Sequence, residues 1–344
     1  MCEDNHFFTK LELSLGKIIN SRQRMKKVCI IINPISGVAS KKRVPGLIKK
    51  MFHPDLFETT ILKTEYAGHA VELTRQAVDD GFDYIIAAGG DGTVNEVART
   101  MVHSNSSLGI IPLGSGNGLA RDLGISMDPK KAIETIIAGN KITIDYCKVN
   151  TRAFFCTCGV GFDALVSERF SEEKKRGPIS YVKSAITEYI RFRPDTYKIT
   201  LDDGTVIDEK AFLITCANAS QYGNNAYIAP NANIQDGKMD IVVLTPIHPM
   251  EVGLIAFQLF TKQIEHNYKV TRYQSEKVKI KRGMPGPMHI DGDPIHAEKE
   301  IIIETIPAGL HVIVPEESAK VQPIQRPVED IQLFFRDLFH LFDR

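Results

Sequence analysis

The sequence predicts an α/β protein in two parts: an open parallel sheet with crossover helices, then an antiparallel sandwich or barrel. Two observations carry this. Up to about Ile142, apolar β-branched runs alternate with stretches of helical spacing, and the runs are apolar on both faces, as strands covered by helices are. Beyond that point come short strands joined by turns, interrupted by two helical stretches.

The elements follow in order. "VCIIINP" from Val28 reads as a buried parallel strand, "SKKRVPGLIKKMF" as a basic loop or helix, and "LFETTILKTE" as a second strand. "AGHAVELTRQAVDDG" carries helical spacing and stops at Gly81. "FDYIIAAGG" is a third strand, "TVNEVARTMVH" a helix, and "LGIIPLGSGNG" a fourth strand entering a glycine-rich turn. In the second part, "KITIDYCKVN", "RAFFCTCGVGF", "DTYKITLDDGTVIDEKAFLITCANAS", "KMDIVVLTP", "EKVKIKR", "MHIDGDPI", "KEIIIETIP" and "GLHVIVP" read as strands, with "DDGT" a hairpin signal. The two helices fall around "ISYVKSAITEYIRF" and "HPMEVGLIAFQLFTKQI". At the end, Ile331, Phe334, Phe335, Leu338, Leu341 and Phe342 recur at helical spacing and predict an amphipathic helix docking on the core; a membrane surface or a second copy are its other uses.

Composition narrows the function classes. Of 344 residues, 42 are Lys or Arg and 42 are Asp or Glu, so no global basic field invites nucleic acid. Any anionic partner must be held by local geometry. The six cysteines show no disulfide-framework spacing, and Cys156 and Cys158 alternate along an apolar run, which puts both thiols on one face of a strand. A reduced core strand is the reading preferred over a zinc site. No signal-peptide core appears and no window approaches about 18 apolar residues, which predicts a cytoplasmic protein with no transmembrane segment.

The chemistry concentrates on one predicted sheet edge. "NPISG", "KTE", "GGDGT" and "PLGSGNG" all follow strands, and ligands of open parallel sheets sit beyond the carboxyl ends of strands. Glycines there let backbone N–H groups approach an anion, and the next helix N-terminus adds its dipole. The three glycine-bearing turns therefore predict a polyphosphate cradle. A Walker loop is absent, and the Gly114-x-Gly116-x-Gly118 pattern lacks the acidic residue a dinucleotide fold carries about twenty positions on. Asp91 stands out: a carboxylate among amides aimed at phosphate repels it unless Mg2+ or a substrate proton lies between them. A helix-capping role is its plain alternative.

The motifs "NPISG", "GGDGTVNEV", "IIPLGSGNGLARDLGI", "DGKMD" and "IDGDPI" occur in the order found in the diacylglycerol kinase catalytic family, which the chain resembles over roughly residues 26–315. That family includes bacterial soluble lipid kinases and sphingosine kinases. The resemblance implies an α/β nucleotide-binding domain of the NAD kinase and diacylglycerol kinase type at 26–145, and a lipid-binding β-sandwich at 146–315. Residues 1–25 become an N-terminal extension, and 316–344 a segment whose helix docks on the N-terminal domain. It implies ATP and Mg2+ as cofactors and transfer of the γ-phosphate to a lipid hydroxyl, with diacylglycerol and a sphingoid base the leading acceptors.

Carried over residue by residue, the resemblance assigns the nucleotide to Asn33, Pro34, Ser36, Gly37, Thr64, Gly89, Gly90, Asp91, Gly92, Thr93, Asn95, Glu96, Gly114, Ser115, Gly116 and Asn117. Asp91 and Asp293 become the catalytic carboxylates. Family members usually carry Glu at the place of Asp293, one methylene longer. The loop "NIQDGKMD" resembles a metal loop, with Asp236 as ligand beside main-chain oxygens of Asn233 and Lys238; Asp145 joins the water network around it. Asp163 faces the lipid headgroup or caps a helix. At 118, where bacterial relatives often have Asp, this chain has Gly, closer to the sphingosine kinase version.

A lipid substrate implies transient peripheral contact with a membrane, for which Lys174, Lys175 and Arg176 offer charge; a homodimer is a further expected state. Two other readings stand beside this one: a kinase of a soluble substrate related to NAD kinase, and a nucleotide-binding regulator that has lost catalysis.

Overall fold

The computed structural model describes residues 24–36, 43–172, 189 and 192–318. The N-terminal extension through residue 23, Gly37, the basic triplet at 174–176, nearly all of the helix predicted at 179–192 and the helix predicted at 328–344 lie outside the described residues.

Strand β1 (Lys26–Ile32) pairs in parallel with β2 (Phe57–Lys63) and β3 (Tyr84–Gly89), and β3 pairs in parallel with β4 (Ser107–Pro112). The period of two divides β1 between two cores. Cys29 and Ile31 meet α2 (His69–Asp79) and α3 (Asp91–Met101) on one face, while Val28, Ile30 and Ile32 meet α1 (Val44–Met51) and α5 (Pro129–Ala138) on the other. Both faces are covered, which is why the strands read as unbroken apolar runs. A short helix, α4 (Gly118–Asp122), follows the second glycine turn.

The chain then runs through β5 (Lys141–Val149), β6 (Arg152–Phe154) and β7 (Thr157–Gly161) into α6 (Phe162–Glu172). After this come β8 (Asp195–Leu201), β9 (Val206–Ala211), β10 (Leu213–Ala217), β11 (Met239–Leu244), α7 (Val252–Phe260), β12 (Val270–Ser275), β13 (Lys277–Arg282), β14 (Gly286–Ile290), β15 (Asp293–Ala297) and β16 (Glu300–Ile313). One antiparallel sheet has the order β12-β11-β10-β7-β14-β15. The facing sheet contains β16, β13, β8 and β9 and is continuous with the N-terminal sheet, in the order β2-β1-β3-β4-β16-β13-β8-β9. The second half is thus a β-sandwich, and the first an open α/β sheet, as predicted.

Two expectations change. "RAFFCTCGVGF" is two strands, because the chain crosses between sheets at Phe155 and Cys156: β6 pairs with β5, β7 with β10 and β14. Cys156 and Cys158 therefore do not share a face; Cys156 packs in the N-terminal core and Cys158 between the sandwich sheets. Conversely, "KEIIIETIP" and "GLHVIVP" form one strand. β16 pairs with β5 along its length, with a register shift between Ile306 and Leu310 where Ala308 adopts φ 51°. Its early part pairs with β13, while Val312 pairs in parallel with Leu108 of β4.

Candidate active site

The two glycine-rich turns touch through their backbones. A Cβ built on Gly114 would lie 2.6 Å from Gly90 Cα, and one on Gly116 would lie 2.7 Å from Asp91 Oδ2. Neither glycine has a positive φ, so close approach demands them, not backbone conformation. Gly89 is crowded in the same way by Thr93, at 2.6 Å. Gly92 differs: nothing lies within 4 Å of the Cβ it lacks.

Helix α3 begins at Asp91, two residues earlier than its apolar spacing predicts, with Gly90 extended as its N-cap. An acid in the first turn suits the helix dipole. Its carboxylate, however, reaches the other turn, accepting from the N–H of Asn117 (2.8 Å) and of Gly118 (2.6 Å). Asp91 therefore ties the turns together, with both oxygens accepting from amides. Asn117 sits in the left-handed region at φ 51°, and closes its own turn by accepting from Gly114 N–H (2.9 Å) and donating to Gly114 O (2.7 Å). Asn33 ties in the first turn, donating to Thr93 Oγ1 (3.0 Å) and accepting from Ile35 N–H (2.9 Å). Thr64, buried, donates its N–H to Ile32 O (3.0 Å), which seats the end of β2 beside Asn33. Ser115 is exposed, and Pro34 and Ser36 lie on the turn after β1.

Two polar residues of α3 face elsewhere. Glu96 accepts from Gly68 N–H (2.9 Å), the N-cap of α2, and so holds one helix to another. Asn95 donates to Asp291 Oδ2 (2.8 Å), across to the sandwich.

Asp291 is the residue the sequence reading passed over. With Gly292 it forms the two-residue turn between β14 and β15, at φ 47° and 83°, the pattern of a type I′ hairpin. Its carboxylate accepts from the N–H groups of Phe155 (3.0 Å), Cys156 (2.8 Å) and Thr157 (3.1 Å), the amides freed where the chain changes sheets. Burial pushes the Asp291 carboxyl above the ordinary range, against the pull of those bonds and of Asn95. Asp291, Asp91 and Asn95 line one cavity with Val94, Leu119, Phe155, Cys156 and Tyr222. Asp293, two residues on, is exposed at the start of β15 and does not line it. The Asp-Gly hairpin signal in "IDGDP" was the available pointer to position 291.

Gly118 packs closely against the sandwich half. A Cβ there would meet Cys156 Sγ at 3.3 Å and Tyr222 O at 3.4 Å.

Behind Tyr222 lies a second carboxylate. Asp163, buried in the first turn of α6, accepts from Thr215 Oγ1 (2.9 Å), Tyr222 OH (3.2 Å) and Ala164 N–H (2.8 Å), and lies 3.2 Å from His289 Nε2. It supports the tyrosine wall from inside and does not line the cavity itself. Asp145, also buried, is fully engaged by backbone: it accepts from Gly237 N–H and Ala308 N–H, both at 2.7 Å. It staples the loop carrying Asn233, Asp236 and Lys238 to the bulge of β16. Asp236 itself is exposed and accepts from Lys238 N–H (3.0 Å), while Asn233 accepts from Gln235 N–H (3.1 Å). No member of this loop lines the cavity.

The arrangement joins first-turn amides of a helix, free of intrahelical partners, to a half-buried carboxylate whose raised affinity for protons suits it to accept one from a hydroxyl. Comparison with known proteins agrees in kind. Residues 27–149 match the family model for the diacylglycerol kinase catalytic domain, and residues 156–314 that for the YegS C-terminal NAD kinase beta sandwich-like domain. The chain is 29% identical over 315 residues to a diacylglycerol kinase of Mycobacterium tuberculosis, covering 88% of this chain and 99% of that one. It is 29% identical over 302 residues to a diacylglycerol kinase of Bacillus subtilis, covering 86% and 99%. A crystal structure of a diacylglycerol kinase from Bacillus anthracis superposes with a TM-score of 0.65 at 22% identity, over 86% of this chain and 100% of that one, which shows the shared fold. The chain belongs to the diacylglycerol kinase catalytic-domain family.

Proposed function

We propose, with that family membership as the premise, that the chain is an ATP-dependent lipid kinase whose acceptor is the free hydroxyl of a diacylglycerol-type lipid. A sphingoid base is the second acceptor to test. The observation that carries the reading is the meeting of Asp91 and Asp291 at one cavity, one from each half of the fold.

Phosphoryl transfer is largely positioning and charge neutralisation. The nucleotide phosphates lie against the two glycine turns, where the open side of Gly92 admits an oxygen close to the first-turn amides of α3. Asp91 is then a positioning residue. Its two oxygens accept from Asn117 and Gly118, so it holds the turns in register. Asp291 is the base, in place of Asp293: it takes the proton of the lipid hydroxyl as the oxygen attacks the γ-phosphorus, and ADP leaves. Asn95 and the three crossover amides orient its carboxylate. Asn33, Thr64, Thr93 and Asn117 shape the turns, and Glu96 supports the helix behind them.

An oxygen-only donor set suits Mg2+. Asp236 and the main-chain oxygens of Asn233 and Lys238 are such a set, and would hold the ion in a structural role that steadies the loop stapled by Asp145. Mg2+ arriving with ATP supplies charge neutralisation on the phosphates.

The test is transfer of labelled γ-phosphate across diacylglycerol, sphingosine, ceramide, monoacylglycerol, phosphatidylglycerol and NAD. Labelled phosphatidic acid supports the reading. Labelled NAD alone replaces it with the soluble-substrate kinase, and no transfer to any acceptor favours the nucleotide-binding regulator.

A further inference from the structure

We infer that helix α7, with the turn before it, is the face by which this protein rests on a lipid bilayer. The inference uses the lipid-kinase reading for one thing only, the reason a bilayer is within reach. Val252–Phe260 reads VGLIAFQLF and contains no charged residue. A helix on a protein surface ordinarily sets a polar face against its apolar stripe; this one has a single glutamine. Ile255 is buried, yet Leu254 is 51% exposed, Phe257 50% and Met250, one turn earlier, 87%. Positions 250, 254 and 257 follow the spacing that brings side chains onto one face. Tyr268, 81% exposed, stands beside the same helix start, its hydroxyl donating to Glu251 Oε1 at 2.5 Å. Four of the ten large apolar side chains exposed among the described residues thus fall between 250 and 268. Scattered exposed leucines mean little, but a cluster on an uncharged helix marks a contact surface.

The charge at its rim is compensated. Glu251 is paired with Lys269 at 2.8 Å, and these bonds hold its carboxyl down at about 2, ionised but balanced. A phenol with an apolar ring and a polar tip also suits the level of lipid headgroups.

Two arguments select the bilayer as occupant. First, the face is small. A stable contact with a second copy or another protein takes about 800 Å2 from each partner, and this face is one short helix with a few large side chains. Shallow insertion of such side chains is how an interfacial helix makes reversible contact. Second, the face continues inward to the cavity. Ile255 and Leu259 pack in one apolar cluster with Phe212, Phe162 and Tyr222, and Tyr222 lines the cavity beside Asp91 and Asp291. Phe162 and Phe212 stack at 4.5 Å in that cluster. Apolar side chains therefore run without interruption from the exposed helix to the cavity wall.

The chain has no tryptophan, so Phe257→Trp supplies a single fluorescent reporter. Its emission is expected to shift to the blue on adding phosphatidylcholine–phosphatidylglycerol vesicles, and to be quenched by brominated lipid. In parallel, Leu254→Ser/Phe257→Ser is expected to weaken vesicle binding about tenfold, while transfer to a dispersed short-chain diacylglycerol stays at the parent level. Unchanged emission with vesicles, or unchanged vesicle binding by the double variant, overturns the inference. So does a blue shift that follows protein concentration without lipid, which assigns the face to a second copy. Vesicle binding through this face by a chain that phosphorylates no lipid leaves the inference standing and removes the kinase reading. Transfer to the dispersed acceptor without vesicle binding does the reverse.

Discussion

The two walls of the cavity present the same residue type in opposite ways. On the N-terminal wall, Asp91 is bonded to amides of its own wall, Asn117 and Gly118. On the sandwich wall, Asp291 is bonded to crossover amides and also to Asn95, which comes from the N-terminal wall. Asp91 accepts two amides in fastening two turns; Asp291 accepts four donors at the junction of the two halves, and burial still raises its proton affinity. On the proposed reading, the aspartate of the glycine-rich motif is not the reactive one. What its oxygens are bonded to, and how far it is desolvated, decides the role.

The comparison can be broken most directly at Asp291. Asp291→Asn is expected to lower kcat by about a thousandfold. It also sets an amide donor against backbone donors, at about 1–3 kcal/mol of stability; steady-state rates and thermal melts measure the two separately. Asp91→Asn is expected to cost less, about a hundredfold, chiefly in KM for ATP, because one of two amides loses its charged acceptor. A kcat loss equal to that of Asp291→Asn, with KM unchanged, would make the two walls equivalent and defeat the distinction. Gly114→Ala pushes a methyl group into Gly90, so it is expected to raise KM for ATP about tenfold and to destabilise the fold by about 1–3 kcal/mol.

The pH dependence sharpens the contrast. With its carboxyl raised by burial, Asp291 ionises late in the folded chain. Its contribution to stability is fullest below the ordinary carboxylate range and is lost as pH climbs through the raised value. The base must be ionised to act, so kcat/KM is expected to rise over the same window in which stability falls; the stability change should be missing from Asp291→Asn. The smallest effect belongs to Asp293→Asn, expected within about twofold of the parent rate, since an exposed carboxylate outside the cavity changes little.

Much of the fold was legible because its signals are local. Strands buried on both faces, as in "VCIII" and "YIIAA", carry the mark of a covered parallel sheet in their own composition. The partner of β4 was not legible, since alternation says that β16 is buried but not which strand lies beside it. At the site, the turn glycines were readable as close approach, although part of what they approach proved to be each other. The carboxylates divided differently. Glu96, Asp145 and Asp163 look like ligand groups in a linear sequence, yet each is taken up by amides or side chains that only the folded chain brings near. Asp291 was hidden for the converse reason: a turn aspartate is common, and its three donors lie more than a hundred residues earlier.

The long strand β16 has a consequence for how the molecule is made. Its last residues complete the sheet that the first strands begin, so during synthesis β4 waits with one side of its ladder unpaired until almost all of the described chain has emerged. Such a waiting strand is a template for the wrong partner. The glycine turns therefore cannot be harvested as a separate module by cutting after β5. The nucleotide half takes its last strand from β16, so a ribosome that stalls before it is expected to leave an adhesive fragment instead of half an enzyme.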